Sequence, residues 1–476
     1  LQAHQQQAWH SFLVQLAAMA VARETGEDKP PDAAGWRDAL MGLADGDEAA
    51  WHLVVDDVSR PAFLQSPVPE GSLDDAGYKA DMPTPDQLDV LITSKSHDVK
   101  ARRITHPRSE HWIYALVTLQ TMEGFLGRGN YGITRMNGGF GNRPMTALAS
   151  GLSWGARFRR DLDVLRSARS ALLDRYTQDG HALLWTEPWD GAKSSGLPLD
   201  TCDPYFIEIC RRIRFTQDDS TLVCWRANTK GQRVDAPDSL NGDTGDPWTP
   251  IEKSGSKALT LSGDGFTYNR LQEIFLGKEY APPPALQFRD TDEGHLYLVA
   301  RTLVRGQGKT EGLHHRIVPV PARATASLRQ KSQREMLAQR AKDRVNTTAE
   351  VRRSVLYPAI GTLLGGGRTD SVDSDDVRPW LDAFDRAVDA RFFEALWDSV
   401  DMNDTEALEQ WHALLWDEAQ TQFSDAEDQA PKSSTRYWRA LSSARSVFHG
   451  AARRTLPHAF SDSESNSSRS ATPTHA

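Results

Sequence analysis

Glycine and arginine are concentrated in one stretch of the chain, GFLGRGNYGITRMNGGFGNRP, at residues 124–144. Glycines adopt positive φ angles without steric cost and let backbone N–H groups approach an anionic or crowded ligand. Arginine donors match phosphate and carboxylate groups, and asparagine can bind base edges or cap a turn. A structural glycine loop with ordinary salt bridges would have the same composition, so both interpretations stay open. The candidate contacts are Gly124, Gly127, Arg128, Gly129 and Asn130.

The known phosphate-binding loops do not match this stretch. It contains no G-x-x-x-x-G-K-[ST] motif, and it follows a predicted helix at residues 112–122, whereas a dinucleotide-binding loop follows a strand. The sequence also lacks the metalloprotease motif H-E-x-x-H, and no catalytic cluster stands out in it. His314 and His315 are adjacent and would point to opposite faces of a strand, which argues against shared metal ligation. We therefore predict no catalytic residue, no metal and no cofactor.

A second glycine-spaced segment, RGQGKTEG at residues 305–312, could reach a ligand from a narrow hairpin tip. Gln307 and Lys309 lie between glycines, so their side chains can project from the end of the hairpin. A slender tip with one amide and one ammonium group suits insertion into a DNA groove or between base pairs. An exposed hairpin that binds nothing is the alternative.

A third segment, KSHDVKARR at residues 95–103, concentrates positive charge in an otherwise acidic chain. A local basic segment can contact nucleic-acid phosphates. A solvated loop would have the same composition, and the two interpretations have equal weight. The candidate contacts are Lys95, His97, Lys100, Arg102 and Arg103.

The overall charge limits how such segments could act. The chain has 476 residues and a formal net charge of −10, whereas proteins that wrap nucleic acid by bulk attraction are usually basic. Any nucleic-acid contact must therefore be local, or the basic surface must belong to another subunit. Three cysteines without a C-x-x-C pair, and the lack of a signal peptide or a long apolar run, favour a cytoplasmic protein without membrane contact.

The elements that must position these segments follow from hydrophobic spacing. Apolar residues at three- and four-residue steps predict a first helix at residues 9–20. The Asp-Pro pair at the start of DPYFIEICRRIRF, residues 203–215, predicts another helix. Two apolar runs, at residues 295–304 and 315–321, predict the strands of a hairpin whose tip is RGQGKTEG.

After Pro321 the pattern becomes helical. Four amphipathic segments, at about residues 325–358, 377–400, 405–423 and 434–453, predict a helical bundle. The fold class expected is α+β, with a large mixed N-terminal domain followed by a C-terminal four-helix bundle. We assign residues 1–324 to the mixed domain, 325–456 to the bundle and 457–476 to a disordered, serine-rich tail.

Four segments occur in a particular order along the chain: GFLGRGNYGITRMNGGFGNRP, DPYFIEICRRIR, TGDPWTPI and RGQGKTEG. In this combination the chain resembles CasA, the large subunit of the type I-E CRISPR surveillance complex, Cascade. The resemblance extends from about Trp9 to the C-terminal helices. Each motif is short, and their order over several hundred residues gives the resemblance its specificity.

The resemblance implies a binding subunit without catalysis of its own. Members of the family lie at the end of Cascade that holds the 5′ handle of the guide RNA. They recognise the short protospacer-adjacent motif (PAM) in double-stranded DNA, mainly from the minor groove, and help to start strand separation. They also recruit a helicase-nuclease. The implied partners are the other Cascade subunits, the guide RNA, double-stranded target DNA and that helicase-nuclease.

The resemblance also implies a DNA-contacting role for two of the segments. The family's glycine loop falls on residues 124–129, where backbone atoms would approach the PAM. The family's lysine finger falls within ANTKGQR, residues 227–233, and Lys230 is the residue that we assign to it.

The hairpin and the basic segment are assigned in the same way. The family's wedge falls on residues 305–310, which implies a DNA contact for Arg305. Some relatives have an asparagine-glutamine pair in the wedge, whereas this chain has Gly-Gln-Gly-Lys, so either Gln307 or Lys309 would lie where the duplex opens. The family's docking loop near the guide RNA matches residues 93–104.

Two other classes of function remain alternatives to PAM recognition. One is an enzyme that acts on a phosphorylated small molecule through the glycine-rich loop. The other is a scaffold subunit in which that loop only packs against a neighbour. Nucleotide hydrolysis by the purified chain would favour the first, and unchanged PAM discrimination after substitution of the loop would favour the second.

Overall fold

The computed structural model describes residues 1–25, 29–30, 32–91, 103–132, 143–219, 221–306, 309–368, 372–430 and 436–460. The chain forms two compact units. The first unit comprises Leu1–Phe266, Lys278–Asp292 and Leu296–Pro319. The second unit comprises Thr267–Gly277, Glu293–His295 and Val320–Ala476.

The first unit mixes helices with short sheets. Its helices are α1 (Gln5–Ala20), α2 (Ala33–Gly42), α3 (Pro85–Leu88), α4 (Ser109–Met122) and α5 (Trp154–Ala168). Its strands are β1 (Lys79–Met82), β2 (Met145–Ala149), β3 (His181–Leu183), β4 (Leu197–Pro198), β5 (Cys202–Ile207), β6 (Arg212–Asp218), β7 (Thr221–Ala227), β8 (Val234–Asp235), β9 (Ile251–Glu252), β10 (Lys257–Ala258), β11 (Tyr280–Ala281), β12 (Leu296–Gly306) and β13 (Lys309–Val320). Three of the sheets have the strand orders β1-β7-β6, β10-β9-β11 and β13-β12-β2.

Helix α1 lies in the core of the first unit, and the predicted first helix is confirmed. Phe12, Leu16 and Met19 are buried, and the helix packs on α4, α5 and β5. Polar side chains on this helix are buried as well, so they need partners. One of them, His10, lies 2.8 Å from the carboxylate of Asp161 through its Nε2 atom.

The helix predicted at residues 203–215 is wrong, because this segment forms β5 and β6. Strand β5 pairs in parallel with β3, and β6 pairs antiparallel with β7. Every residue of β5 is buried, which leaves no polar face of the kind that an amphipathic helix presents to water. The Asp203 side chain that suggested a helix start instead accepts a hydrogen bond from the backbone N–H of Tyr205 at 2.8 Å.

The predicted hairpin is confirmed, and its strands extend further toward the tip than the sequence indicated. Strand β12 continues to Gly306 and β13 begins at Lys309. The two strands are neighbours in their sheet, and β12 also pairs with β2 in a register that joins Tyr297 to Ala149 and Arg301 to Met145. Residues 307 and 308 lie outside the described part of the chain.

The second unit is helical. Its helices are α6 (Tyr268–Phe275), α7 (Ala322–Arg329), α8 (Lys331–Glu350), α9 (Tyr357–Leu364), α10 (Ser374–Asp398), α11 (Asp404–Gln429) and α12 (Tyr437–Thr455). One π-helical turn, Val351–Leu356, joins α8 to α9. Helix α11 begins with a capping box, in which Asn403 accepts from the backbone N–H of Glu406 and Glu406 accepts in return.

Apolar stripes hold these helices together as the sequence predicted. Helix α10 packs on α11, and α12 packs on α9. Phe392 of α10 meets Trp411 of α11 edge to face at 5.7 Å between ring centroids, and Phe423 stacks on Phe448 at 4.4 Å. The predicted α+β class with a C-terminal helical bundle is confirmed.

A helix that crosses a membrane must be both long and apolar. Across the described residues, no helix is both long enough and apolar enough to cross a lipid bilayer. The long helices of the second unit have charged residues on their outer faces, as is typical of helices that bury only one stripe.

Candidate nucleic-acid interface

Residues 123–132, here called the glycine loop, leave the end of α4 in a tight turn. The N–H of Leu126 donates to the carbonyl of Asn130 at 3.1 Å, and the N–H of Asn130 donates to the carbonyl of Gly127 at 3.0 Å. Gly127 and Gly129 have φ angles of +99° and +86°. A side chain is disfavoured at such angles, so this turn requires glycine at both positions.

The glycine loop is hydrogen-bonded to a second segment, residues 228–231, through Thr229. The N–H of Thr229 donates to the carbonyl of Gly129 at 2.9 Å. The Thr229 hydroxyl accepts from the N–H of Tyr131 at 2.7 Å and donates to the Tyr131 carbonyl at 2.9 Å. Two segments that lie about a hundred positions apart in the sequence are thus brought side by side. Lys230 follows directly, with an exposed side chain.

Close packing fixes this junction. A Cβ atom at Gly129 would lie 3.2 Å from the Asn228 side chain. On the far side, the backbone N–H groups of Lys230 and Gly231 donate to the carbonyl of Gly191 at 2.7 and 3.1 Å. The backbone around Lys230 is therefore hydrogen-bonded both to Gly129 and to Gly191, while the Lys230 side chain is exposed to solvent.

The start of the glycine loop is anchored by the turn between β5 and β6. Gln120 accepts hydrogen bonds from the backbone N–H groups of Cys210 and Arg211 at 2.9 and 2.8 Å. Arg211 donates to the carbonyl of Gly124 at 2.5 Å. Burial raises the pKa of the Cys210 thiol well above its ordinary value, so this thiol stays protonated and unreactive at neutral pH.

Gly132 ends the loop at a crowded position. A Cβ atom there would lie 2.7 Å from the Cβ of Cys210 and 2.6 Å from the Arg211 guanidinium. A Cβ at Gly127, in contrast, would have no atom of the described residues within 4 Å. Gly132 is therefore required by packing, whereas the described residues leave space beside Gly127 that another molecule could occupy.

A buried ion pair ties the hairpin to the glycine loop. Arg305, near the end of β12, donates to the carboxylate of Glu123 at 2.8 Å, and the two side chains are 2% and 5% exposed. Arg305 also donates to the carbonyl of Val90, and the hydroxyl of Thr310 donates to the same carbonyl at 3.3 Å. Hydrogen bonds therefore connect the base of the hairpin both to Glu123 at the start of the glycine loop and to Val90.

The DNA contact expected of Arg305 stays a prediction, and the structure places this residue inside the protein. Its guanidinium is engaged inside the protein, because Glu123 and the Val90 carbonyl provide the partners that solvent or a phosphate would otherwise supply. Lys309, on the other strand of the hairpin, is exposed and lies 2.8 Å from the carboxylate of Glu311. Gln307 is outside the described residues.

The basic segment is described only at its end. Lys95, His97, Lys100 and Arg102 lie outside the described residues. Arg103 is exposed, and its backbone N–H donates to the carboxylate of Asp86 in α3 at 2.8 Å. Arg103 and Asp86 also line a cleft of about 340 Å³.

Positive charge collects around the glycine loop despite the acidic composition of the chain. Arg128 is exposed and Asn130 is half-buried. Asn130 lines a small cleft of about 110 Å³ whose charged lining residues are Arg211, Arg212, Arg226, Arg305, Asp89 and Glu123. Because the arginines outnumber the carboxylates there, the local field favours phosphate or other anionic groups.

Some residues of this interface were not found from the sequence. Thr229 is adjacent in sequence to Lys230, and Glu123 is the first residue of the glycine loop. No local sequence pattern indicates that either residue contacts a distant segment. The Arg211–Arg212 pair was assigned to a helix, where the two side chains would not have been placed at the loop. In the described part of the chain, no three His, Cys, Asp or Glu side chains could together hold a metal ion.

Comparisons with known proteins place this fold. No protein-family model matches the sequence, and no curated protein matches it either. Among solved structures, a CasA from Thermus thermophilus matches with a TM-score of 0.64 and 14% identity over 95% of this chain and 90% of that one. The chain has the CasA fold.

Two further CasA structures, under the alternative name Cse1, agree. Cse1 from Thermobifida fusca matches with a TM-score of 0.60 and 14% identity, covering 96% of this chain and 91% of that chain. Cse1 from Acidimicrobium ferrooxidans matches with a TM-score of 0.59 and 15% identity, covering 95% and 90%. The similarity of fold therefore spans both units, and the resemblance to CasA seen in the sequence motifs extends to the tertiary structure.

Proposed function

We propose that this chain is the large subunit of a type I-E CRISPR RNA-guided surveillance complex and that it recognises the PAM in double-stranded DNA. A CasA fold over about 95% of the chain supports the first part. One structure with this fold is described as a CRISPR associated protein from Thermus thermophilus. The hydrogen-bonded junction between the glycine loop and residues 228–231 supports the second part and is the observation on which it depends.

At this junction a glycine turn and an exposed lysine form one surface. In the described part of the chain nothing crowds Gly127, so backbone groups of the turn can approach a groove closely. Arg128 and Lys230 supply exposed positive charge beside that backbone. The minor groove presents mainly acceptor atoms and a degenerate pattern, which suits tolerant reading of a short motif by an amide backbone, a lysine and Asn130.

In this proposal the hairpin of β12 and β13 opens the DNA duplex. Arg305 acts as a positioning residue, since its pair with Glu123 fixes the hairpin base against the glycine loop. Gln307 or Lys309 would then lie next to the recognised motif. Separating one base step costs about a few kcal/mol, and pairing with the guide RNA returns that free energy further along the target.

The remaining partners follow from the same proposal. Arg103, with Lys95, His97, Lys100 and Arg102, contacts the guide RNA handle or a neighbouring Cascade subunit. The complex recruits a helicase-nuclease, and this chain performs no catalysis. Its acidic net charge is compatible with DNA binding because the contacts at the glycine loop are local.

The test compares two DNA substrates with the assembled complex. Lys230→Ala and Gln307→Ala should weaken binding of a duplex with the PAM by about tenfold, which corresponds to one hydrogen-bonded or charged contact. Both variants should leave binding of a pre-opened target nearly unchanged. Lys257→Ala, which removes another exposed lysine of the first unit, is the matched control. Equal losses on both substrates would contradict the assignment to duplex recognition and opening.

A scaffold function is the second candidate, and the crowding at Gly132 and Gly129 favours it. In that case the loop only packs, and its exposed side chains contribute nothing to DNA recognition. The double variant Arg128→Ala/Asn130→Ala separates the two candidates, because neither side chain is fully buried. Unchanged discrimination between PAM and non-PAM duplexes, measured with a randomised PAM library, would support the scaffold.

A further inference from the structure

A cleft between α8 and α11 in the second unit has the size of a small-ligand site. Its volume is about 370 Å³, within the range that ligand pockets commonly occupy. Met336, Leu408 and Trp411 give it an apolar wall, and Arg340 and Arg344 also line it. An apolar cleft with a few charged groups is the usual composition of a site that orients a ligand.

The two arginines differ in how their charges are compensated. Arg340 donates to the carboxylate of Asp404 at 2.8 and 3.3 Å, to the carbonyl of Met402 at 2.8 Å and to the carbonyl of Ser399. Its guanidinium therefore has an ion-pair partner and two carbonyl acceptors. Arg340 needs no ligand to complete its contacts.

Arg344 lacks such compensation. The residue is 4% exposed, and its Nη1 atom has no hydrogen-bond partner among the described residues. Its Nη2 atom reaches the Ala407 carbonyl at 3.5 Å and the Gln410 side chain at 3.4 Å, both at the long limit of a hydrogen bond. The guanidinium lies 4.9 Å from the Trp411 ring, and the described residues place no carboxylate at ion-pair distance from it.

Burial of this cation is unfavourable as the protein stands. Removal from water, with the nearby charge of Arg340 as a second cause, lowers the pKa of the Arg344 guanidinium to about 9, and the more distant carboxylate of Asp398 opposes this shift only in part. The group is still charged at neutral pH. A buried charge without an ion-pair partner destabilises a protein, whereas leucine or methionine at this position would pack without that penalty. A ligand anion would remove the penalty.

We propose that this cleft binds a carboxylate attached to an apolar group, with Arg344 as the anchor of the carboxylate. The planar fork of a guanidinium matches a carboxylate. Leu408 and Trp411 would contact the apolar part of the ligand. This site lies in the second unit and does not depend on the DNA-binding function proposed above.

The charges that line the cleft favour a monoanion over phosphate. Asp343 and Asp404 line it together with Arg340 and Arg344. Because Asp404 is paired with Arg340, a single cation, Arg344, remains for the ligand. A phosphate dianion would bring a second negative charge close to two carboxylates. The carboxylate can belong to a free organic acid or to an acidic side chain of a partner protein.

Calorimetric titration of the purified chain tests this site. The probes are 3-phenylpropionate, its neutral amide 3-phenylpropanamide, inorganic phosphate and a capped Leu-Glu-Leu peptide with its Leu-Gln-Leu counterpart. The acidic member of a pair should bind about 10- to 100-fold more tightly than the neutral one, as expected for one charge-assisted contact. Preference in the first pair indicates a free acid, and preference in the peptides alone indicates a protein segment. No preference in either pair, or tighter binding of phosphate, would overturn the proposal.

Substitutions show whether Arg344 is responsible. Arg344→Met should abolish the preference for the acid while leaving the urea midpoint of unfolding unchanged or higher, since an uncompensated charge is removed. Arg391→Met is the control, because Arg391 forms an exposed pair with Glu418 elsewhere in the same unit; it should keep the preference. If Arg344→Met does not fold, Arg344→Lys retains the charge and should reduce the preference. Full preference in a folded Arg344 variant would rule out the assignment.

Discussion

Two arginines, one in each unit, are buried to nearly the same extent but differ in their partners. Arg305 of the first unit is 5% exposed and pairs with Glu123. Arg344 of the second unit is 4% exposed and has only long contacts to neutral acceptors. Burial alone therefore does not tell what a charge does. A paired guanidinium fixes the position of segments, whereas an unpaired one can serve a ligand that the chain itself does not contain.

The largest expected change in stability follows from removing the ion-pair partner of Arg305. Glu123→Ala leaves Arg305 buried without its carboxylate, and loss of one partner of a buried pair costs about 3–5 kcal/mol. The free energy of unfolding from urea titration should fall by that amount. Glu279→Ala, which removes an exposed carboxylate of the same unit, should change it by less than about 0.5 kcal/mol. A loss below about 1 kcal/mol in Glu123→Ala would show that the ion pair with Glu123 contributes little to the stability of the first unit.

A smaller effect is expected where the same unit uses neutral hydrogen bonds. Thr229→Val keeps the shape of the side chain and removes both hydrogen bonds to Tyr131. An unsatisfied buried N–H costs about 1–3 kcal/mol. Amide hydrogen exchange at Tyr131 should become faster, and binding of the PAM duplex should weaken with it if the junction forms the DNA surface. Unchanged exchange at Tyr131 would contradict the role given to Thr229.

A pH-dependent effect extends the comparison to His412, a buried histidine of the second unit. Burial, followed by the nearby charge of His458, lowers the pKa of His412 to about 4 from its ordinary 6.5. The folded state holds this imidazole neutral, so its contribution to stability is complete above pH 6.5. That contribution is lost between pH 6.5 and 4, by at most about 1.4 kcal/mol per pH unit.

The control for this prediction is a neutral amide at the same position. His412→Gln should unfold with a shallower loss of stability between pH 6.5 and 4 than the natural chain, measured by urea titration at each pH. The difference between the two curves isolates His412 from the carboxylates that titrate in the same range. Parallel curves would show that protonation of His412 costs nothing in the folded state.

Local patterns in the sequence predicted much of the architecture. The spacing of apolar residues located α1, α4 and the bundle helices, because helical periodicity depends on neighbours three and four positions away. The hairpin of β12 and β13 was also recognised, since its strands are adjacent in sequence. The segment that became β5 and β6 was assigned to a helix, because an Asp-Pro start is compatible with a helix and the strands that pair with it lie elsewhere in the chain.

For the candidate interface, the sequence by itself determined which segments are rich in glycine and cationic residues, and it placed Gly127 and Arg128 among the candidates, while Lys230 was implied by the resemblance to CasA. Only the tertiary structure decided how these segments meet. Thr229 joins two of them across 98 positions, and Glu123 captures Arg305 across 182 positions. Such pairs leave no local pattern, because a side chain's burial and partner depend on residues that only the folded chain brings within hydrogen-bonding distance.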